Sequence, residues 1–282
     1  MCNYFISEND IEEFLRYLVM EERAEMTIEK YVRDVRRFTE WCNGRKIEKK
    51  LVMEWKENLI EHGYCPTTIN SMLASVHGYF RFAGIGGCNV KFLKIQRRIF
   101  RDQNRELNKD EYRKLIMTAR SEGKERLTML IETIGATGVR VSEVKYITVE
   151  AVRMGRAEIA LKGKIRTILI PGKLARKLGT YAKKEKITSG EIFVTRNGTG
   201  MSRKQIWAEM KEICGHAGVE STKVFPHNLR HLFARTFYSI QKDIVRLADI
   251  LGHSSVDTTR IYTMETGETH RRQIQKLGLL RL

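Results

Sequence analysis

Only three prolines occur in the 282 residues, and neither proline nor glycine is concentrated anywhere. That excludes a collagen-like, low-complexity or linker-dominated chain. The five cysteines, Cys2, Cys42, Cys65, Cys88 and Cys214, are odd in number and widely spread, with no paired spacing. They suit neither a disulfide framework nor a zinc site, and a reducing cytoplasm is the expected setting. Cys214 and His216 form an isolated pair with no second pair to complete a tetrahedron. No apolar run reaches membrane-spanning length, and the opening segment MCNYFISENDIEEF lacks the basic start and apolar run of a signal peptide. Also missing are a G-x-x-x-x-G-K-[ST] loop for a nucleotide and a carboxylate cluster for Mg²⁺. No cofactor, no metal and no membrane are therefore expected.

What the chain has in excess is positive charge: 51 Lys and Arg against 34 Asp and Glu, a net of +17. Such an excess raises the expectation of a polyanionic partner, most often nucleic acid. The charge is uneven. Residues 1–90 hold 12 basic and 14 acidic side chains, a net of −2, and the remainder hold 39 and 20, a net of +19. Acid crowds Glu8 to Glu29, whereas residues 30–50 carry eight bases and three acids.

With 42% hydrophobic residues, the chain can bury a real core and is long enough for two domains. Ser7 or Asn9 can cap a first helix, with Ile11, Phe14, Leu15 and Leu18 on one stripe. Thr27 can cap a second, whose apolar face leaves Arg33, Arg36 and Arg37 off the stripe. A third covers Lys49 to Glu61, and a fourth begins near Thr67 or Thr68 and runs to about Phe82. Four helices in so short a stretch predict a helical bundle. After Gly84-Ile85-Gly86-Gly87 comes a basic linker, 91–107, which includes Lys94, Arg97 and Arg98. A second domain, 108–282, opens with a helix capped by Asn108. It continues with a helix ending at Gly135, a turn into a helix at ATGVRVSEV, and a β-hairpin with a basic tip (Ala157 to Lys162, Arg166 to Pro171). Helices follow at Leu174 to Lys184, Arg203 to Ala217, His227 to Tyr238 and Ile244 to Leu251, with one further strand at Glu191 to Thr195. The fold class is mainly α with a small β element.

Four places carry unusual residues: Arg140 in GATGVRVSEV, Lys162 in LKGKIR, His227 and Arg230 in FPHNLRH, and His253 and Tyr262 in LGHSSVDTTRIY. Singly each has an ordinary reading, such as a surface Arg140 paired with Glu143 or a packed Tyr262. Together they supply the parts for phosphodiester transesterification. Two Arg forks match non-bridging phosphate oxygens and balance transition-state charge. A Lys or His can protonate a departing sugar oxygen, and a Tyr hydroxyl can attack phosphorus.

At these residues the chain resembles the tyrosine recombinase (phage integrase) family, including its Xer-like members. The family's ordered signature is matched by TGVRVSE at 137–143, LKGKIR at 161–166, HNLRH at 227–231, LGHSS at 251–255 and TTRIYT at 258–263. Any one box is weak, and five in order are strong. The resemblance covers essentially the whole chain. It implies a helical, SAM-like core-binding domain (1–90), the basic linker and a catalytic domain, closing as a C-shaped clamp around double-stranded DNA. By resemblance, Tyr262 attacks the scissile phosphate to give a 3′-phosphotyrosyl link, Arg140 and Arg230 hold the phosphate, and Lys162 is the general acid. His227 assists proton transfer, His253 hydrogen-bonds the phosphate, and Glu143 orients the region. The hairpin also offers Lys164, and the two lysines remain alternatives. Local basic surface on the front domain is expected from Arg33, Arg36, Arg37 and the Arg45 to Lys50 segment. The tail THRRQIQKLGLLRL is amphipathic, and in this family such a segment commonly docks on a neighbouring protomer. A homo-oligomer, dimeric on one site and tetrameric in the synapse, follows from the resemblance, and an accessory protein stays open. The lack of a long N-terminal arm-binding domain leans toward a simple Xer-like system. The rivals are a type IB topoisomerase, a non-catalytic DNA-binding factor and, with no convincing ligand set, a metal-dependent nuclease.

Overall fold

The computed structural model describes residues 4–95, 103–161, 164–253, 255–263, 271 and 275–277. Arg97, Arg98, Lys162 and nearly all of the amphipathic tail lie outside the described residues, as does the side chain of Lys164. The chain divides into two compact units, residues 1–97 and 98–282.

The first unit is helical. Helix α1, Glu8–Met20, starts where Ser7 and Asp10 satisfy each other's backbone N–H groups, and it buries Ile11, Phe14 and Leu18. Leu15, expected on that stripe, is partly exposed at its edge. Helix α2, Glu25–Cys42, begins at Ala24 rather than Thr27. The Thr27 N–H already bonds the Ala24 carbonyl, and Glu25 places negative charge in the first turn, which favours the earlier start. Helix α3, Lys49–Glu61, and α4, Pro66–Phe82, complete the bundle. Pro66 itself opens α4 ahead of the two threonines, because its fixed φ suits the first helical position, where its missing N–H costs nothing. Phe14, Phe38, Trp55, Tyr79 and Phe80 fill the centre. A polar tie crosses from α2 to α4: buried Asp34 accepts from Lys30 Nζ at 2.6 Å and from Ser75 Oγ at 2.9 Å. Beyond α4 the chain stays on this unit. The Asn70 amide both donates to and accepts from the Leu93 backbone, at 2.9 and 2.8 Å.

In the second unit, Leu107 is fully buried ahead of α5, Lys109–Ser121, which Asn108 and Glu111 cap reciprocally. Helix α6, Glu125–Thr137, does not stop at Gly135 but runs to a left-handed Gly138. One interior glycine costs only about 1 kcal/mol. The buried Ile134 and Thr137 straddle it, and the bare Cα lies against the Tyr112 ring. A 3-10 turn, Val141–Tyr146, and α7, Val149–Met154, lead into the hairpin of β1, Arg156–Leu161, and β2, Lys164–Leu169. The strands pair antiparallel from Arg156↔Leu169 to Leu161↔Lys164, so β2 begins two residues earlier than expected. Ala157, Ile159 and Ile168 are buried, which marks the core-facing side. Alternation puts Arg166, opposite Ile159, on that same side. Helices α8, Gly172–Lys184, and α9, Arg203–His216, follow. Between them the strand expected at Glu191 to Thr195 does not form. Among the described residues the segment makes only single bridges, Thr148↔Glu191 and Val194↔Gly200, because it turns back on itself through Asn197 and Gly198. Helices α10, Pro226–Gln241, α11, Ile244–Leu251, and the short α12, Val256–Thr259, follow. Among the described residues no helix is long and apolar enough to cross a membrane.

Gly138 has φ +64°, and a Cβ there would stand 2.5 Å from the Phe233 ring. Left-handed strain and overpacking together predict that Gly138→Ala destabilises the second unit by about 2–4 kcal/mol, readable in urea unfolding. An unchanged midpoint would contradict this packing.

Candidate active site

The site is assembled by two glycine reversals, a helix start and a 3-10 turn. The left-handed Gly138 ends α6 and throws Arg140 out of the helix, and the following 3-10 turn buries Glu143. Pro226 starts α10, so that His227, Arg230 and His231 fall three and four residues apart on one face. The left-handed Gly252 ends α11 and delivers His253. After α12 a further 3-10 turn, Arg260–Tyr262, brings in Tyr262, which is only 4% exposed.

Arg230 is the centre. It is 2% exposed, and its guanidinium donates to the Gly138 carbonyl, to the Leu251 carbonyl at 2.7 Å and to His253 Nε2 at 3.0 Å. An Arg can only donate, so His253 Nε2 accepts. The ring proton therefore sits on Nδ1, which donates to Thr259 Oγ1 at 2.8 Å. The Tyr262 ring stacks on His253 with centroids 6.1 Å apart and meets His231 edge-on at 5.0 Å, while His231 packs on His227 at 4.3 Å. Tyr262 also interacts electrostatically with the Arg230 guanidinium.

Beside this lies a second cationic group. Glu143 is 4% exposed, and its carboxylate accepts from Arg140 Nη1 at 2.8 Å, from the Arg140 backbone N–H at 3.0 Å and from Arg166 Nη1. Arg140 Nη2 also donates to the Gly252 carbonyl at 3.2 Å. Burial pushes the Glu143 carboxyl up, but the Arg140 hydrogen bonds and the Arg166 charge outweigh it and hold it below the usual carboxylate range. Burial, helped by the charges of Arg140 and Arg166, brings Arg230 down to about 10, still protonated near neutrality. Burial, then Arg230 and Arg140, pushes His253 down to about 4. Burial and the neighbouring His227 bring His231 to about 3, and His227 is lowered by desolvation and Arg230. Three guanidinium groups against one carboxylate, with the imidazoles neutral, make a cationic cradle suited to an anion such as a phosphodiester.

Arg140, Glu143, His227, Arg230, His253 and Tyr262, taken from four separate stretches of sequence, are thus brought into one neighbourhood. Lys162 lies outside the described residues, and of Lys164 only the backbone is placed, paired with Leu161. In the other unit Arg33, Arg36, Arg37 and Lys94 are exposed. Arg33 pairs with Asp34, Arg36 with Glu8, and Arg37 donates to the Tyr64 hydroxyl. The structure adds Arg166, His231 and Thr259 to the site. The alternation of β2 marked Arg166 as inward-facing, and His231 stands four residues from His227 inside the HNLRH box. Nothing in the sequence singles out Thr259. A cleft of about 1110 Å³ elsewhere in this unit is lined by none of these residues; it mixes Lys124, Arg126 and Lys184 with Glu125, Glu191 and Glu209, and so lacks one dominant charge. Among the described residues no group of three or more His, Cys, Asp or Glu is placed to hold a metal ion.

Residues 105–268 match the phage integrase family, and residues 11–84 match the phage integrase N-terminal SAM-like domain. The chain belongs to the phage integrase family. It is a Xer-like tyrosine recombinase, and its function is site-specific DNA recombination. Tyrosine recombinase XerA of Thermococcus kodakarensis is 30% identical, covering 96% of this chain and 95% of that protein. Tyrosine recombinase XerD of Staphylococcus aureus is 27% identical, covering 96% and 97%. The recombinase shares its fold with XerH bound to its difH substrate before cleavage (TM-score 0.69, 20% identity, 92% and 82% covered). A lambda integrase dimer on a core site is also similar (TM-score 0.70, 19% identity, 91% and 94% covered).

The neutral histidines make the stability of the recombinase pH-dependent. His253 and His231 have folded values below the ordinary 6.5, so in acid the unfolded chain takes up protons that the folded one refuses. Their contribution is complete above about pH 6.5 and is lost as pH falls toward about 4. Melting of the second unit should drop between about pH 7.5 and about pH 5. His253→Gln should flatten part of that slope, and equal slopes would contradict the assignment.

Proposed function

We propose that Tyr262 is the nucleophile of strand cleavage, working on a phosphate held by Arg140 and Arg230. The observation that carries this is the placement of the Tyr262 ring between His231 and His253, against the buried guanidinium of Arg230. The tyrosine oxygen bonds to phosphorus, the bond to the 5′ oxygen breaks, and a 3′-phosphotyrosyl link and a free 5′ hydroxyl result. Lys162 donates the proton that the leaving 5′ oxygen takes up, with Lys164 as the alternative donor. His227 assists transfer of the tyrosine proton, and such transfers contribute about 10²–10⁴-fold each. His253 serves the phosphate as a hydrogen-bonding partner alongside Arg230, and Glu143 orients Arg140. The phosphoester is conserved in the link, so a hydroxyl from another strand reverses the reaction with no ATP or metal.

The partner is double-stranded DNA, bound by a core-binding domain (1–90) and a catalytic domain (108–282) joined by the basic linker 91–107. Exposed Arg33, Arg36, Arg37 and Lys94, with Arg97 and Arg98, are the contacts proposed outside the catalytic domain. The working assembly is a homo-oligomer, a dimer on one site and a tetramer in the synapse, and the setting is the cytoplasm. Support for the DNA partner comes from the net charge of +19 over residues 91–282 and from the family.

Incubation with a pool of nicked duplexes, in EDTA and without ATP, should yield a protein–DNA adduct that survives denaturation. Tyr262→Phe should yield none. An adduct that persists in Tyr262→Phe, or no adduct on DNA the protein demonstrably binds, would overturn the assignment.

A further inference from the structure

The role of Arg166 is not explained by phosphate contact. Its side chain is 11% exposed and faces the core side of β2 beside Ile168. Its guanidinium is shared between the Glu143 carboxylate and the Ile250 carbonyl, the latter at 3.2 Å, close to the end of α11. Glu143 holds Arg140 through both its side chain and its backbone N–H. Arg140 in turn reaches the Gly252 carbonyl. These contacts close a ring: β2, the turn after α6 and the end of α11 are all joined through one arginine that points away from solvent.

The space Arg166 occupies is reserved for it. Gly252 has φ +61°, which already favours glycine, and a Cβ built there would meet Arg166 Cδ, with Nε only 2.6 Å away. The glycine of the LGH box therefore serves two ends: it turns the chain to present His253, and it leaves room for the Arg166 stem to pass. An ionised Glu143 at 4% exposure needs more than the half-exposed Arg140, whose side chain is 39% exposed, because a single solvent-facing partner compensates a buried charge poorly. Arg166 supplies that second cation from inside.

We infer that Arg166 is a positioning residue for the recombination reaction, holding Glu143 so that Glu143 fixes the Arg140 fork toward the phosphate. The inference rests on the phosphate-holding role proposed for Arg140, and it adds a residue that never touches DNA. Misplacing a group by about 1 Å can cost about 10²-fold in rate, so losing this brace should be visible.

The test follows adduct formation in a single turnover on two duplexes. One has an ordinary scissile phosphodiester; in the other a methylphosphonate replaces one charged oxygen by a neutral methyl. Arg166→Ala should slow the phosphodiester reaction about 10–100-fold but the methylphosphonate reaction no more than about threefold, since less charge remains for Arg140 to balance. DNA binding should be unchanged. An equal loss on both substrates would indicate a general structural defect and overturn the inference, as would no loss on either. Arg140→Ala is the control: if methylphosphonate does not relieve its defect, the phosphate-holding reading fails. A double variant then decides Arg166 independently. Arg166→Ala should add nothing to Glu143→Gln if it acts through that carboxylate, and multiplying losses would overturn it. Should Arg166→Ala not fold, Arg166→Lys, which keeps the charge but loses the fork, should show the same substrate dependence with a smaller loss, and its absence would count against the inference.

Discussion

A single buried guanidinium holds this active site together. Arg230 sits where two helices end: the carbonyls of Gly138, at the end of α6, and Leu251, at the end of α11, both accept from it. The last carbonyls of a helix lack intrahelical partners and carry the negative end of its dipole, so they suit a cation better than isolated peptide groups would. Burying an unpaired charge costs several kcal/mol, and here the helix ends offset that cost. Both ends are terminated by left-handed glycines, which turn the chain so that Arg140 and His253 follow close behind.

The electrostatics of the site follow from that arrangement. Burial disfavours a protonated imidazole at both His253 and His231. Nearby charge adds to it, from Arg230, Arg140 and Arg166 at His253 and from His227, Arg235 and Arg230 at His231, so both stay neutral well below their ordinary values. A neutral His253 accepts from Arg230 and donates to Thr259, so it is locked in one tautomer before any substrate arrives. The buried Glu143 carboxylate is shared by two arginines, Arg140 and Arg166, so that among Arg140, Glu143, Arg166 and Arg230 positive charge is in surplus. The tyrosine ring is packed by the same histidines, His231 and His253.

Much of this arrangement was legible in the sequence because the candidate residues ride on strong local signals. The TGVRVSE and LGHSS boxes carry the glycines that make the reversals, and HNLRH carries helical spacing. Ser7 and Asn108 mark helix starts through side-chain caps that are read from the sequence. The misreadings came where tertiary packing decided. Gly135 stays inside α6 because Tyr112 lies against it, and residues 191–195 had strand-like composition but, among the described residues, make only isolated bridges. Arg166 was present in the LKGKIR box, but its partner Glu143 lies 23 residues away, and no local pattern announces that pairing. The acidic balance of the front unit concealed how its basic residues are used. Arg36 is paired with Glu8, and Arg33 with Asp34, which is itself tied into the α2–α4 contact.

The Arg230 fork, and not merely its charge, assembles the site. The most direct test is Arg230→Lys, which keeps the charge but cannot reach two helix ends and His253 at once. Adduct formation with Tyr262 should fall at least about 100-fold while DNA binding is retained. Cleavage within about threefold of the unsubstituted protein would contradict the account, because a point charge would then suffice where the structure shows a planar, multiply bonded brace.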